Sequence, residues 1–336
     1  THDDTAFLQY TGGTTGVSKG AILTHGNIIA NMLQIRALFS AVMGEGTEVI
    51  ITPLPMYHIF SLTVNCLSML DLGAKNILVT NPRDFDGFIN IMNGSGATLL
   101  TGVNTLFNAL LNHPNFKHCD LSKLKMSIGG AMALQRAVVD RWREEVGSPL
   151  VEGYGLTEAS PVVSVNRLDG NDKVGTIGVP VPSTEVKLVD DDGNEVTDLD
   201  KPGEICIKGP QVMQGYYNRP EESDNVLKDG WLRTGDIAIW LENGYLKIVD
   251  RKKDMILVSG FNVYPNEVED VLAKHPNVLE VACIGVPDPR SNEAVKVIVV
   301  PKGPLSKDEL KAYAKEHLTG YKVPKHYEIR SEELPK

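Results

Sequence analysis

The feature that most constrains the fold is a regular alternation of short apolar segments with amphipathic ones between Thr24 and Gly147. Apolar segments such as 49–54 have the length and composition of buried strands. Segments between them, such as 25–39 and 134–147, carry apolar residues at helical spacing, and Thr24 is suited to cap the first of these helices. Strands that alternate with helices predict an α/β fold, in which a mostly parallel sheet is covered by helices on both faces.

From about residue 173 to residue 249 the pattern changes to strands joined by tight turns. Asp192-Gly193 and Asn243-Gly244 are dipeptides typical of hairpin turns. We therefore expect a small β-barrel or a distorted sandwich in this section. The acidic run 190–192 lies at a hairpin tip, where solvated carboxylates are common, and it does not indicate a metal site.

The polar segment 250–254, Asp-Arg-Lys-Lys-Asp, precedes a C-terminal stretch with the pattern of a small α+β module. We interpret this segment as a hinge between domains. The predicted organisation is a large-domain fragment (1–249) followed by the hinge and a mobile, truncated lid domain (255–336). Within the large-domain fragment, the α/β subdomain covers about 24–172 and the β-barrel section about 173–249.

Composition excludes several classes of function. The net charge of −10 argues against nucleic acid as a partner, because binding to the phosphate backbone depends on lysine and arginine. The four cysteines form no C-x-x-C pair and the eight histidines no H-E-x-x-H motif, which predicts reduced thiols in a cytosolic protein and no zinc site. No apolar run approaches the roughly 18 residues of a membrane span, and no signal peptide is recognisable. Both ends are abrupt, so we interpret the chain as part of a longer one.

The segment Tyr10–Gly20, YTGGTTGVSKG, combines four glycines with three threonines, a serine and a lysine. Such a loop offers bare backbone N–H groups, hydroxyl donors and one cation, which suit a ligand rich in anionic oxygen, and phosphate above all. It is not a Walker A loop, because Ser18 and not glycine precedes Lys19. A flexible Gly/Thr turn is the alternative interpretation.

Six motifs of the sequence occur in the order and at the spacing of adenylate-forming enzymes, the family of acyl-CoA synthetases, luciferases and peptide-synthetase adenylation domains. The motifs are YTGGTTGVSKG, PMYHIF, EGYGLTE, GEICIKG, GWLRTGD and DRKKDMILVSGFNVYPNEVE. Within this family the sequence most resembles the bacterial long-chain fatty-acid–CoA ligases, because residues 229–254 resemble their fatty-acid signature segment. GVNTLFNALL and KGPQVMQGYYNRP are also typical of them, and the resemblance covers essentially the whole chain.

The resemblance implies a two-step reaction that uses ATP, Mg²⁺ and coenzyme A. A fatty-acid carboxylate attacks the α-phosphate of ATP, which gives acyl-adenylate and pyrophosphate, and the thiol of CoA then displaces AMP. Fatty acid and CoA are thus the implied partners. The location implied is the cytoplasm, while a peripheral position on the inner face of the membrane and a homodimer are left open.

The same resemblance implies the residues of the ATP site. Its phosphate-binding part comprises the opening loop, with Thr11, Gly12, Gly13, Thr14, Thr15, Gly16 and Lys19. The other implied ATP- or AMP-binding residues are Gly129, Gly130, Ala131, Gly153, Tyr154, Gly155, Thr157, Asp236, Ile248 and Arg251. In this assignment Tyr154 stacks on adenine, while Asp236 and Arg251 reach the ribose. Thr11 and Glu158 are the implied magnesium ligands, since Mg²⁺ favours hard oxygen donors. A carboxylate that caps a helix is the alternative for Glu158.

Further roles are implied for residues around the substrates. The catalytic set is Thr11, Lys19, Glu158 and His58, in which His58 acts as a gate or positioning group. A purely structural histidine is the alternative for His58. The implied CoA contacts are Ser259, Gly260 and Phe261, where a glycine allows close approach of the backbone. Lys253 matches the hinge residue about which the lid rotates between the two steps.

The sequence departs from the family at both ends. A catalytic lysine that family members carry beyond the Leu-Pro-Lys segment is missing, since the sequence stops at Lys336. A large N-terminal part of the main domain is also missing upstream of Thr1. We therefore expect the chain alone to adenylate fatty acids poorly or not at all.

Two other functions stay open at this point. One is adenylation of another carboxylate with transfer to a carrier-protein phosphopantetheine, and the other is a non-catalytic nucleotide-binding module. Against the second stands the full set of polar residues, which a scaffold does not need: Thr11, Lys19, Glu158, Asp236 and Arg251.

Overall fold

The computed structural model describes residues 1–11, 18–332 and 334. The chain divides into two compact units. The first comprises Thr1–Lys201, Ile205–Thr234 and Trp240–Lys247, and the second comprises Pro202–Glu204, Gly235–Ile239 and Ile248–Lys336. Ile248 lies two residues before the predicted hinge, and the hinge itself stays a prediction.

The first unit begins with an antiparallel hairpin of β1 (Thr5–Thr11) and β2 (Lys19–Thr24), which leads directly into α1 (His25–Phe39). Thr24 caps α1 as the sequence predicts. Its hydroxyl accepts a hydrogen bond from the Asn27 N–H at 3.1 Å, and the Asn27 side chain accepts one from the Thr24 N–H at 2.9 Å. This reciprocal pair satisfies two backbone donors and fixes where the helix starts.

A seven-stranded sheet forms the centre of the first unit. Its elements are β3 (Val49–Thr52), α2 (Ser68–Asp71), β4 (Lys75–Leu78), α3 (Phe85–Ser95), β5 (Leu99–Gly102), α4 (Asn104–Asn112), β6 (Met126–Gly129), α5 (Arg136–Val146), β7 (Leu150–Gly155), β8 (Val162–Val165) and β9 (Val179–Pro180). The strand order is β4-β3-β5-β6-β7-β8-β9, in which the first five are parallel and the last two pair antiparallel. A mostly parallel sheet is thus confirmed. The turn Ser61–Leu67 before α2 is π-helical.

Apolar cores cover both faces of this sheet. On one face α3, α4 and α5 pack around Trp142 and Phe107, whose rings meet edge to face with centroids 5.0 Å apart. On the other face α1 and α2 pack on strand residues such as Ile50 and Leu99. Because neighbouring residues of a strand point to opposite faces, Ile51 and Leu100 belong to the first core and Ile50 and Leu99 to the second.

The expected β-barrel is wrong: this section forms an open six-stranded sheet. Its elements are β10 (Glu185–Val189), β11 (Glu195–Val196), β12 (Gly203–Lys208), α6 (Pro220–Val226), β13 (Leu227–Lys228), β14 (Trp231–Trp240) and β15 (Leu246–Arg251). The order is β11-β10-β12-β14-β13, with β15 also paired to β14. Both strands at the ends of this order are two residues long, so they offer too few backbone groups to close a barrel. The two predicted hairpins, β10–β11 and β14–β15, are present.

The C-terminal elements form the predicted α+β arrangement. They are β16 (Ile256–Val258), β17 (Phe261–Val263), α7 (Pro265–Leu272), β18 (Val278–Asp288), β19 (Asn292–Pro301), α8 (Lys307–His317) and β20 (His326–Ile329). The sheet order is β17-β16-β19-β18, and β20 runs parallel to β19. Both helices contribute apolar residues to the core of this sheet, among them Val268 and Leu310.

Two further predictions concern cysteines and membrane spans. Cys206 and Cys283 are buried and Cys66 and Cys119 half-buried, all four as thiols. Within the described ranges, none of the helices combines the length and apolar character needed to cross a bilayer.

Candidate active site

The β1–β2 hairpin holds the two ends of the predicted phosphate loop. Thr11 and Lys19 lie opposite each other in the hairpin register, where the loop leaves β1 and enters β2. The Ser18 hydroxyl donates a hydrogen bond to the Thr11 carbonyl at 2.6 Å, which ties these two ends together. The other predicted loop residues lie outside the described part of the chain: Gly12, Gly13, Thr14, Thr15 and Gly16.

Glu158 lies in the 3₁₀ turn Thr157–Ala159, just after the carboxyl end of β7. The turn packs against both β1 and β2, so Glu158 lies beside the hairpin that carries Thr11 and Lys19. The Glu158 carbonyl accepts a hydrogen bond from the Met213 N–H at 2.8 Å, which fixes the main chain of the turn. The segment forms only three residues of 3₁₀ turn, so the alternative in which Glu158 caps an α-helix does not apply.

Tyr216 joins this group, and the sequence did not single it out. The segment 213–217 pairs with β2 through three backbone hydrogen bonds of 2.8–3.1 Å. From this segment the Tyr216 hydroxyl donates to Glu158 Oε1 at 2.7 Å, and Lys19 Nζ lies 5.1 Å from the centroid of the Tyr216 ring. Burial and the neighbouring Glu158 carboxylate hold the pKa of Tyr216 far above its usual value, so the hydroxyl stays a donor. One aromatic side chain thus contacts two predicted site residues.

The residues predicted to surround the adenine lie at neighbouring strand ends. Gly129, the last residue of β6, is in register with Glu152 of β7, so the carboxyl ends of these parallel strands lie side by side. Ligands of parallel sheets bind at such ends. The structure brings the following predicted residues together there: Gly129, Gly130, Ala131, Gly153, Tyr154, Gly155 and Thr157. Their contact with a nucleotide stays a prediction.

Gly155 has a structural reason to lack a side chain. A Cβ at this position would lie 2.4 Å from the Pro161 carbonyl oxygen, far inside contact distance. The Leu156 N–H donates to the same carbonyl at 3.1 Å, so the chain folds tightly back on itself here. The absence of a side chain at Gly155 therefore serves the turn that carries Glu158.

Glu152 is a buried acid beneath these strand ends, and it too was missed by sequence reasoning. Its side chain is nine-tenths buried, and Oε2 has no hydrogen-bond partner among the described residues. Burial raises the pKa of Glu152 to about 7, although a hydrogen bond from the Leu134 backbone N–H opposes this rise. The proton on Glu152 is therefore exchangeable near neutral pH.

His58 lies in the segment that precedes the π-helical turn. Its Nδ1 accepts a hydrogen bond from the Phe60 N–H at 3.2 Å, and partial loss of solvent around the ring lowers the pKa of His58. The imidazole is therefore neutral at pH 7. The Gln9 side chain donates to the Tyr57 carbonyl at 2.7 Å, so this segment is attached to β1.

In the second unit, Asp236 and Arg251 lie on the paired strands β14 and β15. Arg251 Nε is 3.7 Å from Asp236 Oδ1, and the Arg251 side chain remains more than half exposed. Ile248 lies on β15 three residues before Arg251, and Lys253 lies in the short 3₁₀ turn that follows β15. The structure thus brings together the pair predicted to bind the ribose.

The residues predicted to contact CoA form the turn between β16 and β17. Ser259 and Gly260 have φ values of +51° and +84°, and Val258 pairs with Phe261 across the turn. Two positive φ angles in a two-residue loop describe a type I′ turn, which glycine adopts without strain. The Phe261 side chain is exposed and stacks on Tyr321 with ring centroids 4.8 Å apart. Tyr321 also lines a cavity of about 370 Å³ in this unit, together with Lys311, Lys315 and Lys325.

The chemistry of the first unit fits magnesium. Thr11 and Glu158 supply a hydroxyl and a carboxylate, which are hard oxygen donors, and the hairpin places them on adjacent elements. No group of three or more His, Cys, Asp or Glu side chains that could hold a metal occurs among the residues that the structure describes. A pair of protein ligands is typical of magnesium that shares its coordination with substrate phosphates and water.

Comparison with known proteins agrees with this fold. Residues 1–217 match the family described as AMP-binding enzyme, and residues 267–336 match the AMP-binding enzyme C-terminal domain. The chain belongs to the AMP-binding enzyme family.

Relatives in this family are longer than the chain. It is 57% identical over 335 residues to a long-chain-fatty-acid–CoA ligase of Salmonella typhimurium, with 99% of this chain and 59% of that protein covered. The crystal structure of ATP-bound MatB from Rhodopseudomonas palustris has a TM-score of 0.91 and 31% identity, covering 100% of this chain and 66% of that one. O-succinylbenzoate coenzyme A synthetase (MenE) from Bacillus subtilis, in complex with ATP and magnesium ion, has a TM-score of 0.87 and 30% identity, covering 100% and 68%.

Proposed function

We propose that the protein containing this chain activates a long-chain fatty acid with ATP and transfers the acyl group to CoA, giving acyl-CoA, AMP and pyrophosphate. The observation that carries the proposal is the identity of 57% to a long-chain-fatty-acid–CoA ligase across 99% of the chain. The chain spans about three fifths of that relative, so the activity is proposed for the whole protein. The contacts around Glu158 and Asp236 support it.

In the first step two anions must approach each other, because the attacking carboxylate and the phosphates of ATP are both negative. Lys19 at the start of β2 supplies a positive charge beside the predicted loop, whose glycine-rich sequence offers backbone N–H donors. Magnesium, when held by Thr11 and Glu158, would neutralise further phosphate charge. Asp236 and Arg251 hold the ribose, and the strand ends with Tyr154 receive the adenine.

In the second step the CoA thiol displaces AMP from the acyl-adenylate. The exposed turn Ser259–Gly260–Phe261 contacts the pantetheine arm, and a neutral His58 positions the acyl group without acting as a cation. Rotation about Lys253 exchanges the groups around the carbonyl between the two steps.

Pyrophosphate exchange with the full-length protein tests this function. We expect exchange with long-chain fatty acids and not with aromatic or amino acids, and acyl transfer to CoA but not to a phosphopantetheinylated carrier protein. Glu158→Ala should reduce exchange about a hundredfold, since it removes a predicted metal ligand. Glu144→Ala, on the exposed surface of α5, is the control and should leave exchange unchanged. Unchanged exchange in Glu158→Ala would contradict its role as a metal ligand, and absence of exchange in wild type as well would favour a non-catalytic nucleotide-binding module.

Three further points belong to this proposal. The chain of 336 residues alone should show little exchange compared with the full-length protein. The full-length protein is proposed to be cytoplasmic with peripheral contact at the inner face of the membrane, so it should sediment with anionic vesicles. It is also proposed to form a homodimer, so it should elute at twice the monomer mass in size exclusion with light scattering.

A further inference from the structure

We propose that Tyr216 is a positioning residue for the predicted magnesium ligands of the ATP site. It acts by orienting the Glu158 carboxylate. This inference rests on the proposed function and adds a residue to its machinery. The hydroxyl donates to Glu158 Oε1 at 2.7 Å, at ordinary hydrogen-bond distance, while no described residue donates to Oε2. Oε2 therefore remains available to a cation, and the hydrogen bond at Oε1 fixes the direction in which Oε2 points.

Backbone hydrogen bonds around Tyr216 restrict the orientation of the Glu158 carboxylate. Segment 213–217 is joined to β2 on one side and to the Glu158 carbonyl on the other, through Met213. The main chain of Glu158 and the donor to its side chain are thus held by the same segment. Tyr216 as a residue is nine-tenths buried, so its side chain has little freedom to leave this position. A flexible glutamate is ordered before any cation arrives, which lowers the entropy lost on binding.

The Tyr216 ring and hydroxyl have separable effects. The ring lies 5.1 Å from Lys19 Nζ, a distance suited to a cation–π contact, whereas the hydroxyl bonds to Glu158 and to no other residue that the structure describes. Tyr216→Phe keeps the ring beside Lys19 and removes the donor to the carboxylate. The variant therefore weakens magnesium binding at Glu158 and leaves Lys19 in place. Tyr217→Phe is the matched control, because Tyr217 is the next residue and its side chain is exposed.

Equilibrium binding of ATP to the full-length protein by calorimetry, with Mg²⁺ and with EDTA, tests this role. A hydrogen bond to a charged group is worth enough that its loss should raise the Mg²⁺ concentration for half-maximal ATP binding about tenfold in Tyr216→Phe. Binding in EDTA should stay within twofold of wild type, which also reports that the variant folds. Tyr217→Phe should match wild type in both conditions.

A double variant separates positioning from a general effect on structure. In a Glu158→Gln background the hydroxyl has no charged carboxylate to orient, so Tyr216→Phe should change Mg²⁺-dependent binding less than twofold. An equal loss with and without Mg²⁺, a loss that persists in the Glu158→Gln background, or a Mg²⁺ requirement equal to that of Tyr217→Phe would each overturn the proposal. Calorimetry with ATP does not depend on which carboxylate is activated, so a failure of the fatty-acid function is seen separately in the exchange assay.

Discussion

Replacement of Glu152 by glutamine should change how the stability of the first unit depends on pH. Burial raises the pKa of Glu152 from an ordinary 4.5 to about 7 in the folded protein. Between these two values the folded chain holds a proton that the unfolded chain has lost. The free energy of unfolding contributed by this group therefore falls as pH rises from about 4.5 to about 7, and it stays low above that range.

The magnitude follows from the two pKa values. The difference between 4.5 and about 7, at about 1.4 kcal/mol per pH unit, corresponds to about 3 kcal/mol. A glutamine at position 152 never ionises, and its carbonyl oxygen can still accept the Leu134 N–H. We therefore expect the free energy of unfolding of Glu152→Gln, relative to that of wild type, to rise by about 3 kcal/mol between pH 4.5 and pH 8. This change does not depend on the stability of the variant at the lower pH.

Urea unfolding followed by tryptophan fluorescence measures this change in the relevant unit, because all three tryptophans belong to it: Trp142, Trp231 and Trp240. Glu144→Gln is the control, since Glu144 lies on the exposed surface of α5, and its curve should run parallel to that of wild type. If the curves for Glu152→Gln and wild type are also parallel between pH 4.5 and pH 8, the assignment of a buried, proton-binding carboxyl to Glu152 is refuted.

Two shorter predictions concern the turns that carry site residues. Gly155→Ala should lower the free energy of unfolding by about 3 kcal/mol in urea titrations, because its Cβ would overlap the Pro161 carbonyl oxygen. The control Gly94→Ala lies in α3 with no atom within 4 Å of the added carbon, so it should stabilise the protein slightly. Equal effects of the two substitutions would contradict the overlap at Gly155. Phe261→Ala should raise KM for CoA several-fold and leave pyrophosphate exchange within twofold, as measured in full-length protein; a loss of exchange would place Phe261 in the first step.

Local signals predicted most of the first unit because its elements are short and each is coded by neighbouring residues. The start of α1 at His25 follows from a cap and a helical pattern within a few positions. The strand Val49–Thr52 and the helix Arg136–Val146 likewise match the periodicity of their own segments. The π-helical character of Ser61–Leu67 is not readable from the sequence, since apolar spacing does not distinguish hydrogen-bond patterns that differ by one residue.

The prediction of a β-barrel was wrong because barrel closure is not coded by neighbouring residues. Asn243-Gly244 specifies a hairpin locally, and both residues have positive φ as that turn requires. Closure of a sheet depends instead on whether its two outermost strands meet. The strands at the two ends of this sheet, Glu195–Val196 and Leu227–Lys228, are separated by thirty residues in sequence. Turn residues carry no information about such a pairing.

Residues of the candidate site likewise fall into those that a local motif indicates and those that only the folded chain brings together. Candidate residues for an ATP site could be named because their motifs are contiguous, and the structure places three of them, Thr11, Lys19 and Glu158, on adjacent elements. Tyr216 is 58 positions from the carboxylate that it contacts, and nothing in its own motif points to that partner. Glu152 lies within a recognised motif, but its burial and its hydrogen bond from the Leu134 N–H arise only in the folded chain. Candidates for ligand contact can thus be proposed from local pattern, whereas a neighbour such as Tyr216 that contacts a candidate becomes visible only when the chain has folded.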